Sequence, residues 1–550
     1  MGNNKFKLTK LALALGLTAS LSACFSDNDN NDYVEPPVVP PVLVDVPVAD
    51  TPEALAFYVS GSVVQKSTGN VIPATIKFFE AGEPSANVVN LNGTAITEVS
   101  SEDGSFAFNL ADGAEVSKLK LIVSSTDFNS KAFVIDFADV DLNSAEPLEA
   151  LVRLTKIDAS IAKATAAGTT TDGQLATAIN LDAPADAGGA NVAIGTDVVL
   201  LAADGTTPIT DGDVSLTVLT ADIDAQAGKA GAIDLLPDGL NENSTSSVEV
   251  PVSVMNVELL AGDTKVKNFS TPITLTANLP STVNGTAITA GDEFNVSSYN
   301  EDTGEWQPET NKAIVGAAGT ATLPASTQAT HLSTWAFTFA TPACTTQPTY
   351  TVTGLPAGAT VPLIVTLESP QFSFSRPFKK ETGNLFLTLA SVLGVATNTT
   401  VGISITDKNG VEWGSLANVN VCGAVTIPLT QPYQIVNEDI KLTYTCSNAE
   451  IDKDKPFPLT GAQVTYAQAN KLKTPSVETN GTYSLLGLQQ GASYDVLVTP
   501  RLTTEGATIP AQQFTITADG NAETFNFDRD NCKVEQREVT GTGTGTTGGS

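Results

Sequence analysis

Chemistry on this chain has few places to start, because a single histidine, His331, stands among 550 residues. Any Ser–His relay would have to be built around that ring, and His-rich metal centres are excluded. The sequence holds no G-x-S-x-G elbow, no H-E-x-x-H and no phosphate-binding loop. Carboxylates are abundant, so residue type alone permits a glycosidase pair, but nothing in their spacing selects two. Five cysteines remain to be placed. Past Cys24 they are Cys344, Cys422, Cys446 and Cys532, which allow three pairings. The sequential choice, Cys344–Cys422 and Cys446–Cys532, would staple each of the last two modules described below near its ends. No two cysteines stand at zinc-ligand spacing, so neither a metal nor another cofactor is expected. Oxidised pairs suit an exported protein.

Export is written at the amino terminus. Residues 1–23 carry Lys5, Lys7 and Lys10 but no acid, followed by an apolar run from Leu11 to Leu21. A basic region, a short apolar region and small residues before a cut describe a secretory signal, too short to span a bilayer as a helix. Leu21-Ser22-Ala23-Cys24 resembles the lipobox of bacterial lipoproteins. The resemblance implies cleavage before Cys24, acylation of its thiol and anchoring to a membrane through the acyl chains. Phe25 stands where Asp would signal inner-membrane retention in enterobacteria-like systems, so an outer-membrane lipoprotein is implied, facing either the surface or the periplasm.

The formal charge is −32, and loss of the three leader lysines makes it −35. That balance argues against nucleic acid as a partner. Length suggests three or four domains at roughly 100–200 residues each. Residues 24–55 read as a lipidated Cys24 followed by a flexible Pro-rich stalk, with Glu35-Pro36-Pro37-Val38-Val39-Pro40-Pro41-Val42 in polyproline II. The Asp27–Asp32 cluster offers calcium-type oxygens but lacks the glycine turn and terminal glutamate of an EF-hand loop, and reads as solvated spacer.

Beyond the stalk the chain reads as all-β, a series of β-sandwich modules. In the first, residues 56–158, Phe57–Val64 and Ala74–Phe79 alternate as strands, and Val99–Phe108 is a hairpin turning on Asp103-Gly104. Leu119–Ser124 alternates again. The last module, residues 438–535, repeats the plan with Leu459–Tyr466, Val477–Leu485 turning on Asn480-Gly481, and Gly491–Val498. Both resemble the carboxypeptidase regulatory-like (transthyretin-like) sandwich, one of the Ig-like folds. Modules of that family are mostly non-catalytic scaffold or binding units. Residues 159–340 form a further β-rich region whose first thirty residues, rich in Ala, Thr and Gly, look partly irregular. Residues 344–429 make the third module, and residues 536–550 a disordered Gly/Thr tail.

Two local features compete for function. Thr330-His331-Leu332-Ser333-Thr334-Trp335-Ala336-Phe337 resembles the self-cleavage site of the autoproteolysis-inducing domain of adhesion receptors. There the residue matching His331 is the base, and the hydroxyl matching Ser333 attacks the preceding carbonyl, opening the chain between Leu332 and Ser333. The paired cysteines of those receptors are absent here, and the plainer reading gives His331 one structural hydrogen bond at a strand end. Phe372-Ser373-Phe374-Ser375-Arg376-Pro377-Phe378-Lys379-Lys380 gathers aromatics and cations, either as a contact loop or as a strand burying its phenylalanines, the latter being favoured.

The sequence therefore points to a non-enzymatic, lipid-anchored rod of four modules acting in adhesion, surface structure or binding of a protein or carbohydrate ligand. The alternatives are an accessory lipoprotein of a pilus or secretion assembly, or an envelope enzyme acting on polysaccharide.

Overall fold

Alternation of apolar and polar residues dominates the chain, and strands dominate the fold. The computed structural model describes residues 42–539, apart from 56, 138–139, 143–145, 158–160, 185–187, 211, 224–230, 242–243, 245, 263, 284–285, 302, 318–322, 345–348, 356–358, 370–371, 381–386, 389–394, 470 and 502–508. Cys24, the leader, the Asp27–Asp32 cluster and residues 540–550 lie outside the described residues. Among those described, the one helical turn is Ala232–Leu235. Residues 46–535 form one unit, and residues up to 45 fall with those from 536 in a second, small one.

Module one shows how the sequence builds its sandwich. Along Ser105–Leu110 the side chains of Phe106, Phe108 and Leu110 are buried and their neighbours are not. Burying one such side chain contributes roughly 1.5–3 kcal/mol. The opening strand Val59–Gln65 pairs antiparallel with Ser105–Leu110 and parallel with the closing strand Leu148–Leu154. Facing it, Ala74–Glu80 pairs with Lys118–Ser124, which pairs with Lys131–Asp136. The expected Val99–Phe108 hairpin is instead a crossing between sheets: Glu98–Ser101 pairs with Ala74–Glu80, while Ser105–Leu110 pairs with the opening strand opposite. The tight Asp103-Gly104 turn that joins them needs positive φ, which Gly104 supplies at +71°.

Module four repeats most of this plan, except that the strand before its Asx-Gly turn, Val477–Thr479, pairs with Thr482–Gln489 as a true hairpin. Its opening strand Ile435–Cys446 pairs antiparallel with Thr482–Gln489 and parallel with Glu523–Arg529. Gln463–Ala467, Ser493–Thr499 and Gln512–Thr517 make the opposite sheet. The contact at the turn recurs: the Val63 N–H donates to the Gly104 carbonyl at 2.7 Å, and the Leu442 N–H to the Gly481 carbonyl at 2.9 Å. Module three shares the plan without the Asx-Gly signature. Thr349–Thr353 pairs parallel with Ala424–Pro428 and antiparallel with Leu387–Thr388, over a sheet of Phe372–Lys380, Val361–Ser369, Thr400–Asp407 and Glu412–Asn420.

Module two is larger. Apart from the short pair Thr282–Val283 with Thr286–Ala287, its strands form one continuous hydrogen-bonded path that folds over a main core containing Met255, Phe269, Trp335 and Phe337. The stretch expected to be partly irregular carries two substantial strands, Ala162–Thr171 and Ile179–Ala183. The first alternates, but the inward side chains of Ala162 and Ala164 are too small to register as an apolar period.

Cys344 is bonded to Cys422 and Cys446 to Cys532, each pair with its Cα atoms 5.7 Å apart. Two expected boundaries shift. Val42–Pro47, assigned to the stalk, is a strand, and it pairs with Val534–Val539, part of which was assigned to the tail.

The modules of residues 46–535 are not beads strung in chain order, as a rod would require. Module one is bonded to all three others. Lys66 pairs with Asp234, Lys120 with Glu305 at 2.8 Å and Lys131 with Asp238 at 3.1 Å in module two. Arg153 reaches Glu368 of module three at 2.7 Å, and Lys408 of module three pairs with Glu149. Lys473 of module four pairs with Asp103. Between them Val64 and Leu151 pack with Ile364 and Leu472, an apolar junction of three modules. On a chain with 28 bases against 60 acids, six of the scarce cations are used at these seams.

Candidate functional site

His331 ends the strand Leu323–His331, which belongs to one sheet of module two, and Thr334 begins Thr334–Pro342 in the other. The chain crosses between sheets at Leu332-Ser333. Leu332 donates its N–H to the Lys267 carbonyl and the Ser333 carbonyl accepts from Val257, so the crossing is pinned on both sides. Opposite His331 stands Asn268, just before a register break that ends at Ile273. Glu293–Asn300 pairs with Thr334–Pro342 and carries Ser298 and Tyr299 alongside.

The polar groups around the ring are close. His331 Nε2 lies 3.0 Å from Ser298 Oγ and 3.5 Å from Glu309 Oε1. The Ser298 hydroxyl donates to Glu309 Oε1 at 2.6 Å. Its oxygen is left to accept from Nε2–H, a tautomer fixed by the network. A nitrogen that carries the proton cannot take one from Ser298, and Glu309 approaches the same nitrogen instead of orienting the ring from the far side. A Ser–His–acid relay needs the two partners on different ring nitrogens. Burial lowers the His331 pKa below its ordinary value, and the charge of Glu309 opposes this without reversing it. The ring also lies 5.0 Å from that of Trp335, whose side chain is fully buried.

Ser333, the residue that self-cleavage would use, is 2 % exposed, and its hydroxyl donates to the Tyr299 carbonyl. The ring of His331 is bonded to Ser298 and is not on Ser333. The arrangement therefore holds the crossing in place and does not place a base on the hydroxyl that would attack. Ser298, on Glu293–Asn300, and Glu309, just past the strand Glu305–Pro308, reach the histidine from distant positions and leave no local spacing to detect. Beside them an open cleft of about 270 Å³ is lined by Lys267, Asn268, Ser298, Gln307 and His331. Among the described residues no group of three or more His, Cys, Asp or Glu is placed to hold a metal.

Phe372–Lys380 is a strand. Phe374 faces Leu367 and Phe378 faces Leu363 across the pair, and both phenylalanines pack half-buried on the core of module three. No helix among the described residues is long and apolar enough to cross a membrane.

No protein-family model and no curated protein matches the chain. Solved structures overlap it locally. The minor pilin GBS52 of Streptococcus agalactiae is 14% identical over 36% of this chain and 100% of its own, with a TM-score of 0.16. A streptococcal ancillary pilin is 11% identical over 44% of this chain and 93% of its own, at 0.15. BcpA, the major pilin subunit of Bacillus cereus, is 12% identical over 86% and 99%, at 0.13. Overlaps this shallow carry no inference about function. The fold is read from the chain itself: an all-β series of sandwich modules.

Proposed function

We propose that the chain is a lipid-anchored, non-catalytic scaffold of the bacterial cell envelope, an accessory component of a surface assembly. The observation that carries this reading is the bonding of module one to each of the other three through ion pairs and the Val64–Leu151–Ile364–Leu472 junction. A body so joined presents its surfaces at fixed spacing, as an assembly component must, whereas a string of independent adhesive modules has no need of it. Two disulfides support an oxidising compartment. The lipobox-like Leu21–Cys24 supports acylation at Cys24 and attachment to the outer membrane.

Protease shaving of intact cells, followed by cross-linking and purification from the membrane, tests the reading. A scaffold gives a stable complex with another envelope protein. Recovery as a lone chain at the cell surface, binding a carbohydrate or host ligand module by module, would instead establish adhesion.

A further inference from the structure

Residues 46–55 run along module four before the chain enters module one, and they are fastened there. Asp50 and Arg529 are 1 % and 3 % exposed. Arg529 grips the carboxylate with two nitrogens, Nη1 to Oδ1 at 2.6 Å and Nη2 to Oδ2 at 3.1 Å. Tyr444 donates its hydroxyl to Asp50 Oδ1 and accepts from the Asp50 N–H, both at 3.1 Å, and its ring lies 5.0 Å beneath the guanidinium. Further along, Thr460 Oγ1 donates to the Pro52 carbonyl at 2.6 Å, and the Leu55 N–H donates to Glu478. A Cβ on Gly461 would stand 2.5 Å from the Glu53 carbonyl, so the segment lies where only glycine admits it. At its start the Val48 N–H donates to the Lys533 carbonyl at 3.0 Å.

The receiving side is closed covalently. Tyr444 and Arg529 sit two and three residues before Cys446 and Cys532, which are bonded to each other. A pull on the segment cannot part the two strands that hold it. Resting on the reading that Cys24 is the anchor, we infer that residues 46–55 and module four form a load-bearing clasp. Tension applied at the amino-terminal end, once past the Val42–Pro47 pairing with Val534–Val539, enters module four through Asp50–Arg529 and does not reach module one along the chain. Sequence order would make module one the first to bear the load, and the clasp reverses this.

Single-molecule pulling on the unacylated mature chain tests the inference, because neither handle depends on lipid. One handle goes on the Cys24 thiol, the cysteine not engaged in a disulfide, and the other on an Asp112→Cys substitution at an exposed turn of module one. The clasp predicts a rupture before any module unfolds, releasing the slack of about ten residues, ~35 Å at 3.3–3.6 Å each. That event should vanish in Arg529→Met and weaken in Thr460→Val, which leaves the buried ion pair intact and guards against a misfolded first variant. An unchanged early event in both variants, or none in the natural chain, overturns the clasp. Mass analysis of the amino-terminal peptide from cells judges the anchor separately: an unacylated Cys24 removes the anchor while the pulling result still decides the fastening.

Discussion

Replacing Arg529 with methionine isolates the energy of the buried pair. The substitution keeps much of the volume but takes the guanidinium away from the Asp50 carboxylate, whose side chain has no solvent exposure and which keeps the Tyr444 hydroxyl as a donor. Removing one partner of a buried ion pair costs about 3–5 kcal/mol, whereas replacing both by apolar groups is often neutral. Asp50→Asn should cost less, since the guanidinium keeps the Tyr444 ring at 5.0 Å. Hydrogen exchange of the Glu523–Arg529 amides reads the local opening energy directly. Arg529→Met should accelerate their exchange by more than a hundredfold, at a factor of ten per ~1.4 kcal/mol. The pair Asp50→Leu with Arg529→Met should restore most of the protection, the non-additivity that a coupled pair must show. An acceleration below tenfold, or a double variant as damaged as the single one, would refute the reasoning.

Further expectations follow from the same geometry. Because burial lowers the His331 pKa, the unfolded chain binds the proton first as pH falls below about 6.5. Stability then rises with pH across that window, and melts of His331→Gln between pH 5 and 7 should flatten the slope. Gly104→Ala forces a side chain into positive φ with its Cβ 2.7 Å from the Val63 and Ile72 carbonyls. The left-handed conformation alone costs roughly 1–2 kcal/mol, so urea unfolding should register at least that, and Gly481→Ala should behave alike in module four. Opening Cys446–Cys532, which closes 86 residues, should destabilise module four by about 2–5 kcal/mol, seen as a separate early calorimetric transition.

Much of this was legible in the residues. The Asp103-Gly104 and Asn480-Gly481 turns announce modules one and four because a tight turn needs positive φ and the flanking strands alternate, although only the second joins a paired hairpin. Module three hid its kinship because no Asx-Gly pair stands in the sequence just before its corresponding strand, Leu387–Thr388. Ala162–Thr171 hid because alanine fills a core position without marking it. The docking of residues 46–55 was illegible for another reason: proline and valine suit a solvated stalk and a buried edge equally, and Arg529 lies 479 positions away from Asp50. The same holds at His331, whose partners Ser298 and Glu309 are supplied by pairing between strands. Contacts between modules leave no period in a sequence.

The central claim is an anchored, uncut scaffold, and mass spectrometry of the mature protein extracted from membranes tests it most directly. The account predicts one chain, beginning at Cys24 and carrying acyl chains there, with both disulfides intact. A chain whose Cys24 is bare, or a fragment beginning at Ser333, would contradict it.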